Sequence, residues 1–98
     1  MARKLDPIHP GEILLEEFLK PLSLTAYATA KALGIPRTRI ERLIRGVTSV
    51  TPDTALRLER AFGSSAEFWM NLQSHYDLDV ARGRASGLAE VPRLVAAE

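Results

Sequence analysis

Apolar residues recur along this chain at three- and four-residue spacing rather than in strict alternation. That spacing gathers them on one side of a helix, whereas alternation would mark a half-buried strand. Five stretches show it, each with suitable ends. The first covers residues 11–19. Ile13, Leu14 and Phe18 share a face, Glu12, Glu16 and Glu17 lie largely opposite, Pro10 suits the first turn, and Pro21 closes the segment. The second covers residues 26–33, with Thr25 as N-cap and Gly34 just past the end. The third begins at Pro36, read as the first helical position, and ends at Gly46. The fourth opens with Thr51, Pro52 and Asp53, which offer a capping hydroxyl, a preset φ and a carboxylate near the positive dipole end, and it stops at Gly63. The fifth opens with the capping-box pattern Ser64-Ser65-Ala66-Glu67 and ends near Gly83. Asn-Gly and Asp-Gly are absent, so no hairpin is expected. The expected fold is all-α with five helices, a domain over residues 1–84 and a short tail over 85–98.

Residues 26–45 carry the most informative pattern. Two short helices meet at Gly34, a residue tolerant of positive φ, and small Ala30 stands where the helices cross. Leu33, Ile35, Ile40 and Leu43 can lock the pair together. This is the layout of a helix-turn-helix. Thr29 is off-pattern, since a larger apolar residue is usual there, and looser packing is expected at that point. On the third helix Ile40, Leu43 and Ile44 form the inward stripe, and Thr38, Arg42 and Arg45 lie opposite, with Arg39 and Glu41 on the flanks.

Charge sharpens this picture. The net charge of +1 is uninformative, but residues 31–60 hold seven basic side chains against three acidic ones. A positive centre between acidic ends suits a phosphate-binding face, although a solvated helix could show similar scatter. In a helix-turn-helix the N-terminal part of the second helix enters the major groove. Arg37, Thr38 and Arg42 are the candidates for base edges, because arginine can grip guanine bidentately and threonine can meet either an acceptor or a thymine methyl. Arg39, Arg45 and the N-cap Thr25 suit phosphates. Glu41 could accept from a cytosine amine or pair with an arginine.

Other chemistry finds little support. There is no cysteine, hence no disulfide framework and no thiolate metal site. His75, Asp77 and Asp79 offer at most two ligands on one helix face, too few for a metal site. His9 reads as a helix-start residue rather than a general base, and the first-helix glutamates as a solvated face. No phosphate-binding loop or dinucleotide fingerprint occurs. The N-terminus lacks the apolar core of a secretory leader, and no apolar run could span a membrane. A cytoplasmic protein that is not an enzyme and needs no metal or cofactor is expected. The fifth helix carries Phe68, Trp69, Leu72 and Tyr76, more aromatic surface than so small a core requires, and these four are expected to contribute to a homodimer interface.

The segments Ile8-His-Pro-Gly-Glu-Ile-Leu14, residues 30–46 of the motif, Ser49-Val-Thr-Pro-Asp-Thr-Ala-Leu-Arg-Leu58, and Phe68-Trp-Met-Asn-Leu-Gln73 with Tyr76-Asp-Leu78 together resemble the HigA (VapI-like) antitoxins. These belong to the wider Cro/XRE repressors, and the likeness spans residues 8–82. Thr29 and Pro36 depart from the family pattern. The resemblance implies a Cro/lambda-repressor-like domain, a homodimer on a pseudo-palindromic operator in double-stranded DNA, repression of its own operon, and capture of a RelE-like toxin that cleaves mRNA. The toxin is expected to meet a surface away from the third helix, at the N-terminal segment or the C-terminal tail. A stand-alone repressor, or a protein-interaction module with weak DNA binding, fits the residues less fully.

Overall fold

Side chains and prolines set the helix ends in the computed structural model, which describes residues 6–96. Expectations attached to residues 1–5 and 97–98, including the absence of a leader, lie outside the described residues. Helix α1 spans Pro10–Ile13 and runs unbroken into a π-helical stretch, Leu14–Leu19. There the amides reach back five residues: Lys20 N donates to the Leu15 carbonyl, as Leu24 N does to that of Leu19, both at 2.9 Å. The start falls one residue earlier than predicted because His9 serves as N-cap, its Nδ1 accepting from Gly11 N at 2.9 Å.

Helix α2 (Ala26–Leu33) is capped by Thr25, whose hydroxyl oxygen accepts from Ala28 N at 3.0 Å. It ends in a Schellman turn: Ile35 N donates to the Ala30 carbonyl and Gly34 N to that of Lys31. Gly34 sits at φ 73° to allow this, a conformation that costs an ordinary L-residue about 1–2 kcal/mol. Helix α3 spans Arg37–Ile44. Pro36 is therefore its N-cap, in an extended conformation, and not its first helical residue as predicted. Helix α4 (Pro52–Phe62) opens under the Thr51 hydroxyl, as expected. Helix α5 (Ala66–Arg84) is capped by Ser65, which accepts from Phe68 N at 3.0 Å, so the capping pattern is set one residue later than the Ser64–Glu67 reading. The Glu59 carboxylate accepts from Ala66 N and fastens the end of α4 to the start of α5. A single 3₁₀ turn, Leu88–Glu90, follows, and residues 85–96 are exposed throughout.

The helices surround one apolar core. Leu14 and Leu19 of the first helical segment, Ala30 and Leu33 of α2, Ile40 and Leu43 of α3, Ala55 and Leu58 of α4 and Trp69 of α5 are all buried. Thr29 is only 1% exposed, and its hydroxyl donates to the Thr25 carbonyl at 2.8 Å. The looseness expected there does not arise, because the hydroxyl is satisfied by its own helix.

Trp69 corrects another expectation. It is 0% exposed and packs on Phe18 at a ring distance of 5.2 Å. It has no surface left to offer a second copy. Its buried indole Nε1 has no acceptor among the described residues. One position along a helix is a rotation of about 100°. Phe68 accordingly points elsewhere and is 39% exposed.

Candidate nucleic-acid interface

Helix α3 owes its placement to its own inner stripe. Ile40 and Leu43 are buried and Ile44 is half-buried against the same core, so the opposite side must face outward. Arg37, Thr38, Arg39, Arg42 and Arg45 are all exposed on it. The structure gathers Thr38, Arg39 and Arg42 along one cleft of about 340 Å³, together with Thr48, Ser49, Thr51 and Thr54 from the α3–α4 connection and the start of α4. Arg37, Arg45 and Thr25 stand outside that cleft. The hydroxyl-rich rim at Thr48, Ser49 and Thr51 is not among the contacts expected from the amino-acid sequence. The signal available was the run of hydroxyl residues between two basic stretches.

The arginines are not equivalent. Arg37 Nε lies 3.4 Å from Glu41 Oε2 one turn on, which resolves Glu41 as the partner of an arginine in the free protein. Arg42 and Arg45 have no ion pair among the described residues. Arg39 differs most from expectation. Instead of standing free for a phosphate, its Nη2 donates to Asp53 Oδ2 at 3.3 Å and to Thr54 Oγ1 at 3.1 Å, both on α4. The same Asp53 oxygen accepts from Arg57 Nε at 2.9 Å, and Arg57 Nη1 donates to the Leu33 carbonyl at the end of α2 at 2.8 Å. The Arg57 hydrogen bond, helped by Arg39, holds the Asp53 carboxyl below the usual carboxylate range. Thr25 uses its oxygen as a cap, but its hydroxyl hydrogen remains available to a phosphate oxygen.

The α3–α4 connection is held from behind. Val50 N donates to Gln73 Oε1 of α5 at 2.8 Å, and Gln73 in turn donates to Asp77 at 3.0 Å. His9, at the start of α1, lies against the beginning of the same connection beside Gly46, and its ring centroid stands 4.8 Å from that of Tyr76 in a T-shaped arrangement. Thus α1 and α5, which carry none of the candidate contacts to DNA, support the loop beside α3. Leu72 and Tyr76 are half-buried and line a second cleft with Pro7, Ile8 and Ile13. No grouping of three metal-ligating side chains occurs among the described residues, and no helix there is long and apolar enough to cross a membrane.

A helix-turn-helix family model matches residues 15–69. Virulence-associated protein I of Dichelobacter nodosus is 51% identical over 78 residues, covering 80% of this chain and 72% of that protein. Antitoxin HigA-1 of Vibrio cholerae is 40% identical over 81 residues, covering 83% and 76% respectively. The solved structure of the Pseudomonas aeruginosa antitoxin HigA with the higBA promoter superposes with a TM-score of 0.86 at 40% identity, over 91% of this chain and 99% of that one.

Proposed function

This chain belongs to the helix-turn-helix family, in the group that includes the HigA antitoxins, and from that premise we propose that it is a DNA-binding autorepressor and the antitoxin of a toxin–antitoxin pair. The observation that carries the reading is the orientation of α3. Its apolar stripe is buried, and Thr38 and Arg42 stand exposed beside a hydroxyl-lined cleft, on a helix short enough to lie in a major groove. In this reading Arg37, Thr38 and Arg42 meet base edges. Arg45, Thr25 and the rim hydroxyls meet phosphates. Arg37 exchanges Glu41 for its DNA partner on binding.

One α3 reaches only a few base pairs, so the protein works as a homodimer reading two half-sites about 34 Å apart. Support for the pairing surface comes from α5. Of its nineteen residues only Trp69 and Gln73 are buried, and Phe68, Leu72 and Tyr76 follow one another at four-residue spacing along one line. These three, without Trp69, form the proposed isologous contact. The partner protein is a RelE-like, mRNA-cleaving toxin, and the pair acts in the cytoplasm. The P. aeruginosa relative, an antitoxin solved with the higBA promoter, supports both halves of the reading.

The test is a mobility shift on the DNA upstream of this gene and on an unrelated duplex, at about 50 and about 200 mM salt. Tighter binding to the upstream DNA, lost in an Arg37→Ala/Arg42→Ala double variant, is the expected result. Equal binding to both duplexes would overturn the repressor role. Co-expression with the product of the neighbouring open reading frame tests the other half: a small basic protein whose growth arrest this chain relieves supports an antitoxin, and a neighbour without such an effect leaves a stand-alone repressor.

A further inference from the structure

One carboxylate on α4 is shared by two guanidinium groups, and only one of the two comes from α3. Asp53 Oδ2 lies 2.9 Å from Arg57 Nε and 3.3 Å from Arg39 Nη2. The participating side chains are 42–56% exposed, so solvent screens both pairs and they add little to folding. Stability is a weak reason for the arrangement. Its position suggests a stronger one, because Arg39 and Thr54 line the same cleft as Thr38, Arg42 and the rim hydroxyls.

We infer that Asp53 is a specificity-determining residue that holds Arg39 away from the DNA backbone. The inference rests on the DNA-binding reading above. A guanidinium free to reach phosphate adds affinity for every duplex alike, since phosphate contacts carry no sequence information. The same guanidinium bound to Asp53 and Thr54 adds none, and binding then depends more heavily on Arg37, Thr38 and Arg42. Arg57 is the anchor. By bridging Asp53 and the Leu33 carbonyl it fixes the carboxylate against the end of α2. Removing the carboxylate would leave Arg39 facing Arg57 and the positive N-terminal end of α4, both of which repel it outward.

The experiment is a double-mutant cycle on the full chain with Asp53→Asn, Arg39→Gln and the combination, read as the slope of log affinity against log salt on an unrelated duplex. Asp53→Asn is expected to steepen the slope by about 0.9 per bound subunit, or about 3.5-fold more affinity lost across a fourfold rise in salt. Arg39→Gln should change the slope little in the parent protein and abolish the increment in the Asp53→Asn background. The ratio of upstream to unrelated binding should fall several-fold in Asp53→Asn alone. An equal effect of Arg39→Gln in both backgrounds would overturn the inference, because Arg39 would then already be on phosphate or act only through net charge. If the parent chain shows no salt-dependent duplex binding, the DNA-binding reading fails instead. Should Asp53→Asn melt below the assay temperature, Asp53→Ser takes its place, serine being well tolerated in a first helical turn.

Discussion

Gly11 lies directly against the backbone carbonyl of Leu43, so that a Cβ at Gly11 would overlap the carbonyl oxygen and stand 2.6 Å from the carbonyl carbon. Here α1 crosses the end of α3 with no room for a side chain, and the obstacle is backbone, which cannot turn aside. Gly11→Ala is expected to destabilise the fold by about 3 kcal/mol, at the upper end of overpacking costs. Urea unfolding checks this, and a change below about 0.5 kcal/mol would show that the crossing can relax.

Trp69 should behave as a core residue and not as a contact between copies. Trp69→Ala is expected to cost about 3–5 kcal/mol. Trp69→Phe should cost much less than half of that, because it also removes a buried N–H that has no acceptor. Thermal melts of both variants make the comparison.

Phe68 is expected to show the opposite profile. Phe68→Ala should leave the secondary structure intact and raise the concentration at which copies separate in analytical ultracentrifugation by about tenfold or more, as loss of a buried aromatic anchor of ~1.4 kcal/mol or more requires. An unchanged dissociation midpoint would remove α5's outer line from the interface.

Among the arginines, Arg42→Ala should lose about 1–3 kcal/mol of binding to the upstream DNA while binding to unrelated duplex barely moves. Arg45→Ala should weaken both equally and reduce the salt slope by about 1. Fluorescence anisotropy on the two duplexes separates these behaviours.

His9 gives the protein a pH dependence whose sign follows from its surroundings. Burial pushes its pKa down, and the Thr48 backbone hydrogen bond and the Asp77 charge only partly oppose this. The unfolded chain therefore takes up a proton first as pH falls below the ordinary histidine value of 6.5. Stability is full above that value, declines below it, and levels off once the folded protein is protonated too. Protonation also removes the Nδ1 lone pair that caps Gly11. His9→Asn keeps a capping acceptor but cannot titrate. Its melting temperature should change less than the parent's between about pH 7.5 and about pH 5. Parallel curves would place the titration elsewhere.

The five helices, the turn at Gly34 and the outward side of α3 were legible in the amino-acid order. They depend on spacing within a dozen residues, and on caps and breakers that act on their immediate neighbours. The basic face was legible for the same reason: once Ile40 and Leu43 are assigned to the core, the helical repeat places Arg42 and Arg45 outside. Boundaries moved by one residue at Pro10, Pro36 and Ser65: His9 supplies an unforeseen cap, Pro36 takes the extended cap conformation itself, and either of two adjacent serines could have capped α5. What sequence spacing could not reveal was contact between residues far apart in the chain. That Trp69 turns to Phe18 while Phe68 remains exposed, that Gln73 holds Val50 from 23 residues away, and that Asp53 engages Arg39 across 14 residues all depend on how the helices cross. Local periodicity determines which side of a helix is apolar. Only the packing of α1, α4 and α5 around α2 and α3 decides which polar side chains are free to meet a ligand and which are already engaged.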